Sequence, residues 1–312
     1  VAVYGVTGGA GFIGGHVVDA LIAAGHTPVV FDHLGRRRDD GVEVMLGDIR
    51  DATAVSELAA HVDGIVHLAA CLGTQETIRN PRPAADTNIT GGLNVLEALA
   101  AYDIPGVYIA VGNHFMNNSY SITKTTIERF ARMYNTERGV RCNVVRAVNA
   151  YGPQQSVAPP FGPAKVRKIT PAFVCRALVG EPVEIYGDGQ QVSDMVHVRD
   201  VARTLVAALE CAAAGMVVPT VECGPVDHHT VRQVAEQVLI ESGCPMDDTA
   251  SRLRFLPMRP GEIPGATVIA DTETLWAVGV DPAGLIPLAD GVAETVKWFR
   301  ENWLPGYLAQ AA

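Results

Sequence analysis

The chain opens on a short apolar run, Val1 to Val6, followed at once by Thr7-Gly8-Gly9-Ala10-Gly11-Phe12-Ile13-Gly14. The glycines fit G-x-G-x-x-G from Gly9 and G-x-x-G-x-x-G from Gly8. Glycine lets a backbone turn tightly and come close to a pyrophosphate. A helix starting near Phe12 would aim free N–H groups and its positive dipole end at that charge. Gly14 would let the helix pack close to the sheet. The spacing by itself also fits a plain tight turn. Its place, between the first strand and the first helix, is the context a dinucleotide site requires. Gly8, Gly11, Phe12, Ile13 and Gly14 are therefore candidate cofactor contacts.

The rest of the first half repeats the same alternation. Apolar runs at 1–7, 27–31, 42–46, 63–69, 106–111 and 140–146 read as buried parallel strands. Stretches at about 12–24, 51–60, 82–102 and 119–138 carry helical spacing. The expected fold is α/β, a Rossmann-type doubly wound parallel sheet. After Tyr151 the pattern changes to a Pro- and Gly-rich stretch, 152–164. Helices near 170–179, 198–211, 230–242, 271–278 and 291–303 and a strand at Val183 to Tyr186 follow. The expected division is a cofactor-binding domain over 1–152, with about 193–214 returning to it. Residues 153–312 mainly form a smaller, discontinuous α/β substrate-binding lobe.

Asp32 ends the second strand, where an acid holds the adenosine ribose 2′-OH. A carboxylate there repels a 2′-phosphate, so NAD is expected rather than NADP. Arg36, Arg37 and Arg38 follow closely; they fit a solvated basic loop or a phosphate contact. Tyr120 and Lys124 stand four apart in Tyr120-Ser121-Ile122-Thr123-Lys124, on one face of a helix. Of the eight tyrosines, only this one has a lysine at the fourth position. An ammonium beside a phenol favours phenolate and is expected to lower its pKa towards the range of a general base.

Composition narrows the classes. Of 312 residues, 48% are hydrophobic and 19% charged, with a net charge of -10. That is a globular balance, and it argues against a nucleic-acid partner. The six cysteines form no C-x-x-C pair, and no H-E-x-x-H occurs, so neither metal nor disulfide is expected. Reduced core thiols, the absence of an evident leader and the lack of a long apolar stretch point to a cytoplasmic protein without a membrane partner.

With these motifs in hand, the chain resembles the extended short-chain dehydrogenase/reductase group, specifically the sugar-nucleotide epimerase/dehydratase family. The resemblance runs nearly end to end. Beyond the glycine loop and Tyr120-to-Lys124, it rests on Gly47-Asp48-Ile49-Arg50-Asp51, His67-Leu68-Ala69-Ala70, Asn88, Arg146 to Pro153, and Ile185 to Gly189. It implies that Asp48 and Ile49 line the adenine and that Ala69 and Ala70 lie along the cofactor. It further implies that Asn149 reaches the substrate diphosphate region and that Arg259, in Arg259-Pro260-Gly261-Glu262, binds phosphate. The implied cofactor is NAD, and the implied substrate is a nucleotide sugar. The implied assembly is a homodimer through helices near 88–102 and 119–137, where Leu93, Leu96, Phe130 and Tyr134 fit an interface or the core.

Two departures from the family pattern stand out. A Ser or Thr is usual at the end of the fifth strand; here the chain reads Val111-Gly112-Asn113-His114, leaving Asn113, His114, Ser119 or a water as substitutes. An arginine is usual where Ser193 stands, so phosphate binding is expected at Lys165, Arg167 or Lys168, unless these form an ordinary solvated cluster. The expected reaction is C4 epimerisation through a transient 4-keto sugar, with Tyr120 as base. Dehydratase, decarboxylase or reductase chemistry is the alternative. A non-catalytic NAD-binding sensor or scaffold is the alternative of another class.

Overall fold

The computed structural model describes residues 1–35, 38–260 and 262–311; Arg36, Arg37, Gly261 and Ala312 lie outside them. The first half contains β1 (Val3–Thr7), α1 (Phe12–Ala23), β2 (Thr27–Asp32), β3 (Glu43–Leu46), α2 (Ala52–His61) and β4 (Gly64–His67). A continuous helical stretch follows: α3 (Arg82–Ala84), a π-helical segment (Ala85–Thr90) and α4 (Gly91–Tyr102). Then come β5 (Gly106–Val111), α5 (Ser119–Arg138), β6 (Cys142–Ala147) and β7 (Asn149–Tyr151). The second half adds α6 (Ile169–Leu178), β8 (Val183–Tyr186), β9 (Val192–Ser193), β10 (Met195–His197), α7 (Val198–Ala213), β11 (Val221–Cys223) and α8 (Val231–Glu241). It closes with β12 (Leu253–Leu256), β13 (Thr267–Val268), α9 (Leu288–Asn302) and α10 (Leu304–Ala311).

Seven strands form one parallel sheet in the order β11-β6-β5-β4-β1-β2-β3. Strands buried on both faces need continuous apolar sequence, and β5, Gly106 to Val111, is buried at every position. One core packs α1 and α7 on the sheet through Val17, Leu21, Val201 and Leu205. The opposite face carries α2, α4 and α5 through Leu58, Leu99 and Ile127. A third core joins α6, α8 and α9 in the lobe through Phe173, Val238 and Phe299. The lobe's sheets are pairs only: β10 with β7, β12 with β8, and β13 with β9.

The doubly wound sheet is as the alternation predicts. The chain also returns to it after α7, since β11 pairs with β6 through Val221, Glu222 and Cys223. Thr272–Val278 is a 3-10 turn rather than an α-helix. Leu96 and Tyr134 are buried within the single chain, so they are core residues and not interface residues. The six cysteines are free thiols.

Candidate active site

Cofactor-side and substrate-side residues meet in one cleft of about 980 Å³ at the carboxyl ends of the parallel strands. This is where ligands bind in open α/β sheets, at the point where strand order reverses, here between β1 and β4. The glycine loop forms one wall. Gly8 has φ +73°, and a Cβ on it would stand 2.9 Å from the Ala69 nitrogen. A Cβ on Gly14 would stand 2.2 Å from the Gly8 carbonyl oxygen, so α1 can start against the loop only with glycine there. Gly11 is exposed; its added Cβ would meet only the Gly8 oxygen, at 3.1 Å. No side chain caps the first turn of α1, and no acid stands there. By contrast, α2 is capped by Asp51, α5 by Asn118 and α8 by a reciprocal Thr230–Gln233 pair. The first turn of α1 thus keeps N–H groups without a side-chain partner, which is what an anion-binding helix end requires.

Asp32 is buried, and its carboxylate accepts from the N–H groups of Ala10 (3.1 Å) and Leu34 (2.9 Å). Asp48, Ile49, Ala69 and Ala70 also line the cleft. Asp48 pairs with Arg50 at 2.5 Å, which holds its carboxyl below the usual range. Arg38 is tied to Asp19 and Asp40, at 2.5 and 2.6 Å, and is not free to receive a ribose phosphate. Two connections that the sequence reading missed fix the loops. Thr7 Oγ1 and His67 Nδ1 are hydrogen-bonded at 2.8 Å, and Thr7 Oγ1 also accepts from the Leu68 and Ala69 N–H groups. Asn88, in the π segment, accepts from the Cys71 N–H at 2.7 Å and donates to Thr123 Oγ1 at 2.9 Å. It thereby joins the β4 loop to α5. A threonine directly before the glycines and an asparagine before a helix were the available signals.

Tyr120 and Lys124 both line this cleft, one turn apart on α5. The sequence reading expects the ammonium to lower the phenol's pKa; in the structure the direction is opposite. Burial pushes Tyr120 up to about 12 and Lys124 down to about 7. The lysine Nζ sits 4.2 Å from the centre of the Tyr108 ring. Burial also lowers His67 to about 3, with Lys124 contributing. The physical reason is desolvation, which disfavours each charged form. Of the three side chains suggested to replace the missing hydroxyl, Asn113 lines the cleft. His114 binds the Gly112 carbonyl at 3.1 Å, and Ser119 Oγ donates to the Thr77 carbonyl at 3.1 Å.

The facing wall belongs to the lobe. Arg167 donates to Glu184 (3.0 Å) and to the Tyr186 hydroxyl (3.1 Å). Arg259 pairs with Glu262 and lies over the Tyr186 ring at 5.0 Å, so two guanidiniums hold one aromatic ring. The buried Arg259 Nε has no partner among the described residues. Burial lowers Lys168, with Glu76 opposing that shift and Arg259 adding to it. Asn149 Nδ2 donates to Ser193 Oγ at 2.6 Å and to the Asp194 carbonyl at 3.2 Å. Arg167, Lys168, Arg259 and Asn149 therefore share the cleft, whereas Lys165 is exposed and outside it.

A glycine loop at the switch point, facing a Tyr–Lys helix, defines a short-chain dehydrogenase/reductase-type enzyme built for a dinucleotide. Comparison with known proteins gives the family. Residues 5–224 match the model of the NAD dependent epimerase/dehydratase family, and the chain belongs to that family. The UDP-glucose 4-epimerase of Mycolicibacterium smegmatis is 30% identical over 324 residues, covering 95% of this chain and 98% of that protein. The dTDP-glucose 4,6-dehydratase of an Actinoplanes species is also 30% identical, over 331 residues, covering 95% of this chain and 97% of the other. Among solved structures, the Thermus thermophilus UDP-glucose 4-epimerase in complex with NAD matches with a TM-score of 0.80. Its identity is 27%, with 96% of this chain and 99% of that one covered.

Proposed function

We propose that this chain is an NAD-dependent 4-epimerase of a nucleotide-activated sugar, with Tyr120 as the acid–base residue. The observation that carries the reading is the shared cleft: glycine loop on one wall, paired cations on the other, Tyr120 and Lys124 between them. Bound NAD supplies a hydride acceptor and, when oxidised, a positive charge near the phenol. Tyr120 Oη takes the proton of the C4 hydroxyl as the C4 hydride leaves. The resulting 4-keto sugar would present its other face, regain the hydride at C4 on that face, and receive the proton on its oxygen from Tyr120. Lys124 supports the phenolate and holds the nicotinamide ribose. Gly8, Gly11, Phe12, Ile13 and Gly14 receive the pyrophosphate, Asp32 the adenosine ribose, and Asp48 and Ile49 the adenine. Ala69 and Ala70 flank the cofactor. Arg167, Lys168 and Arg259 take the substrate diphosphate beside Asn149.

The cofactor-binding unit in this reading is 1–152 with about 193–214, extended to Val221–Cys223. Residues from 153 onwards mainly form the substrate lobe. The working form is a cytoplasmic homodimer paired through α4 and α5, where Ile122 and Met133 are exposed. Among the described residues, no single helix is long and apolar enough to cross a membrane.

The test is a panel including UDP-glucose and dTDP-glucose, read by mass spectrometry and proton NMR. Unchanged mass with altered ring couplings is the expected result. Loss of water or of carbon dioxide would make the enzyme a dehydratase or a decarboxylase. Tight NAD binding without any turnover would favour a sensor or scaffold. Tyr120→Phe should lower turnover by about a hundred- to ten-thousandfold while keeping NAD affinity.

A further inference from the structure

β5 ends at Val111, and Gly112 prolongs its pairing by donating its N–H to the Ala147 carbonyl at 3.1 Å. A side chain at 112 has no room. Its Cβ would stand 2.8 Å from Val148 Cγ1 and 3.2 Å from Val148 Cα. The first polar side chain that the strand end presents to the cleft is that of Asn113. Its orientation is fixed by a buried neighbour, since Ser121 Oγ donates to Asn113 Oδ1 at 3.2 Å. The other end of the amide, Nδ2, meets only the Met116 sulfur among the described residues, at 3.6 Å. A thioether is a weak acceptor, and an amide nitrogen carries two protons. At least one N–H thus remains for a ligand. Ser121 lies next to Tyr120 on α5, so the residue that orients Asn113 belongs to the same turn as the phenol.

We propose that Asn113 Nδ2 donates a hydrogen bond to the sugar oxygen whose proton Tyr120 removes, and so holds the carbonyl of the keto intermediate. The inference rests on the reading of Tyr120 given above. In the forward step the O–H proton passes to Tyr120 Oη. The C–H electron pair leaves as hydride to NAD, and the C–O bond becomes C=O. The return step reverses each transfer, so no further reactant is needed. As the carbonyl is reduced, negative charge grows on its oxygen, and a fixed donor stabilises that charge. An amide N–H donates but does not accept. Unlike a hydroxyl, it cannot relay the proton, so the sugar must hand it directly to Tyr120. The site thus separates two duties, proton transfer at Tyr120 and oxygen binding at Asn113.

The experiment uses the full chain loaded with NAD and the panel member that the wild-type enzyme converts. Asn113→Ala removes the donor. Asn113→Asp keeps the shape and the Ser121 bond but puts a carboxylate where the donor was. Both should lower kcat on the order of a hundred- to a thousandfold with NAD affinity and KM little changed. A second readout needs no sugar. The phenolate absorbance of Tyr120, taken as the difference from Tyr120→Phe, should titrate at higher pH in Asn113→Asp than in wild type. Every other charged group of the cleft, Lys124 included, is the same in both. Near-normal turnover in both Asn113 variants, or an unshifted phenol in Asn113→Asp, overturns the proposal alone. Near-normal turnover in Tyr120→Phe overturns the reading of Tyr120 and this proposal with it.

Discussion

The two walls of the cleft are made of different materials. The cofactor wall is mostly backbone: Gly8, Gly11 and Gly14 line it without side chains, and the first turn of α1 has no side-chain cap. The substrate wall is mostly side chain: Arg167, Arg259, Tyr186 and their partners Glu184 and Glu262. A backbone site is specified by what cannot be added to it. A side-chain site is specified by what is present, and here Arg167 and Arg259 each already have a carboxylate partner. The first wall should therefore fail on gaining a methyl group, and the second should weaken only by degrees.

The largest test concerns Lys124, at the foot of the cofactor wall. Its folded pKa, about 7, lies below the ordinary 10.5. Between those values the unfolded chain binds more protons, so the stability of the cofactor-free protein should rise with pH across that window. The slope from this one group is at most about 1.4 kcal/mol per pH unit. Below pH 7 the penalty is present in full. Denaturant unfolding at several pH values should show the rise, and Lys124→Met should flatten it. An unaltered slope in the variant would mean that the ammonium is solvated.

Next in size is Gly14→Ala. The new methyl would collide with the Gly8 oxygen and the Gly9 Cα, at 2.2 and 2.7 Å. Both are backbone atoms, so the loop itself must move, at a cost of up to about 3 kcal/mol. Calorimetry should find NAD binding weakened by roughly a hundredfold. Unchanged affinity would break the contrast between the walls. The smallest effect is expected from Arg259→Ala. Losing one charge-assisted hydrogen bond of about 1.5 kcal/mol should raise KM about tenfold, with NAD affinity unchanged. A loss of NAD affinity in this variant would show that the walls are energetically one unit.

The same contrast explains what the sequence makes legible. Gly8, Gly14 and Asp32 lie within 25 residues of one another, on one strand–helix–strand unit. Their constraint is local, so the pattern shows it. Asn113 could be named as a candidate, but its orientation depends on Ser121, and its necessity depends on Val148, which fills the space beside Gly112. Neither relation leaves a periodic trace. The two-residue strands Val192–Ser193 and Thr267–Val268 are stranger still to pattern reading, because each exists only by pairing with the other. The phenol's raised pKa is a property of burial, which the Tyr–Lys spacing does not encode. Lys165, Arg167 and Lys168 look alike in sequence, and only packing divides the first from the other two.

The π-helical segment Ala85–Thr90 makes Asn88 a clasp between the Cys71 loop and Thr123 on α5. A π turn holds one more residue than the α turn it replaces, so this clasp is a matter of counting as much as of chemistry. Deleting a single residue before Asn88 could heal the segment into regular α-helix and still leave every motif in the chain readable. It would also swing Asn88 about 100° around the helix axis and let go of both partners. In such a lineage the glycine loop and the Tyr–Lys pair would survive as recognisable text, while the tie between the β4 loop and the Tyr–Lys helix would be lost.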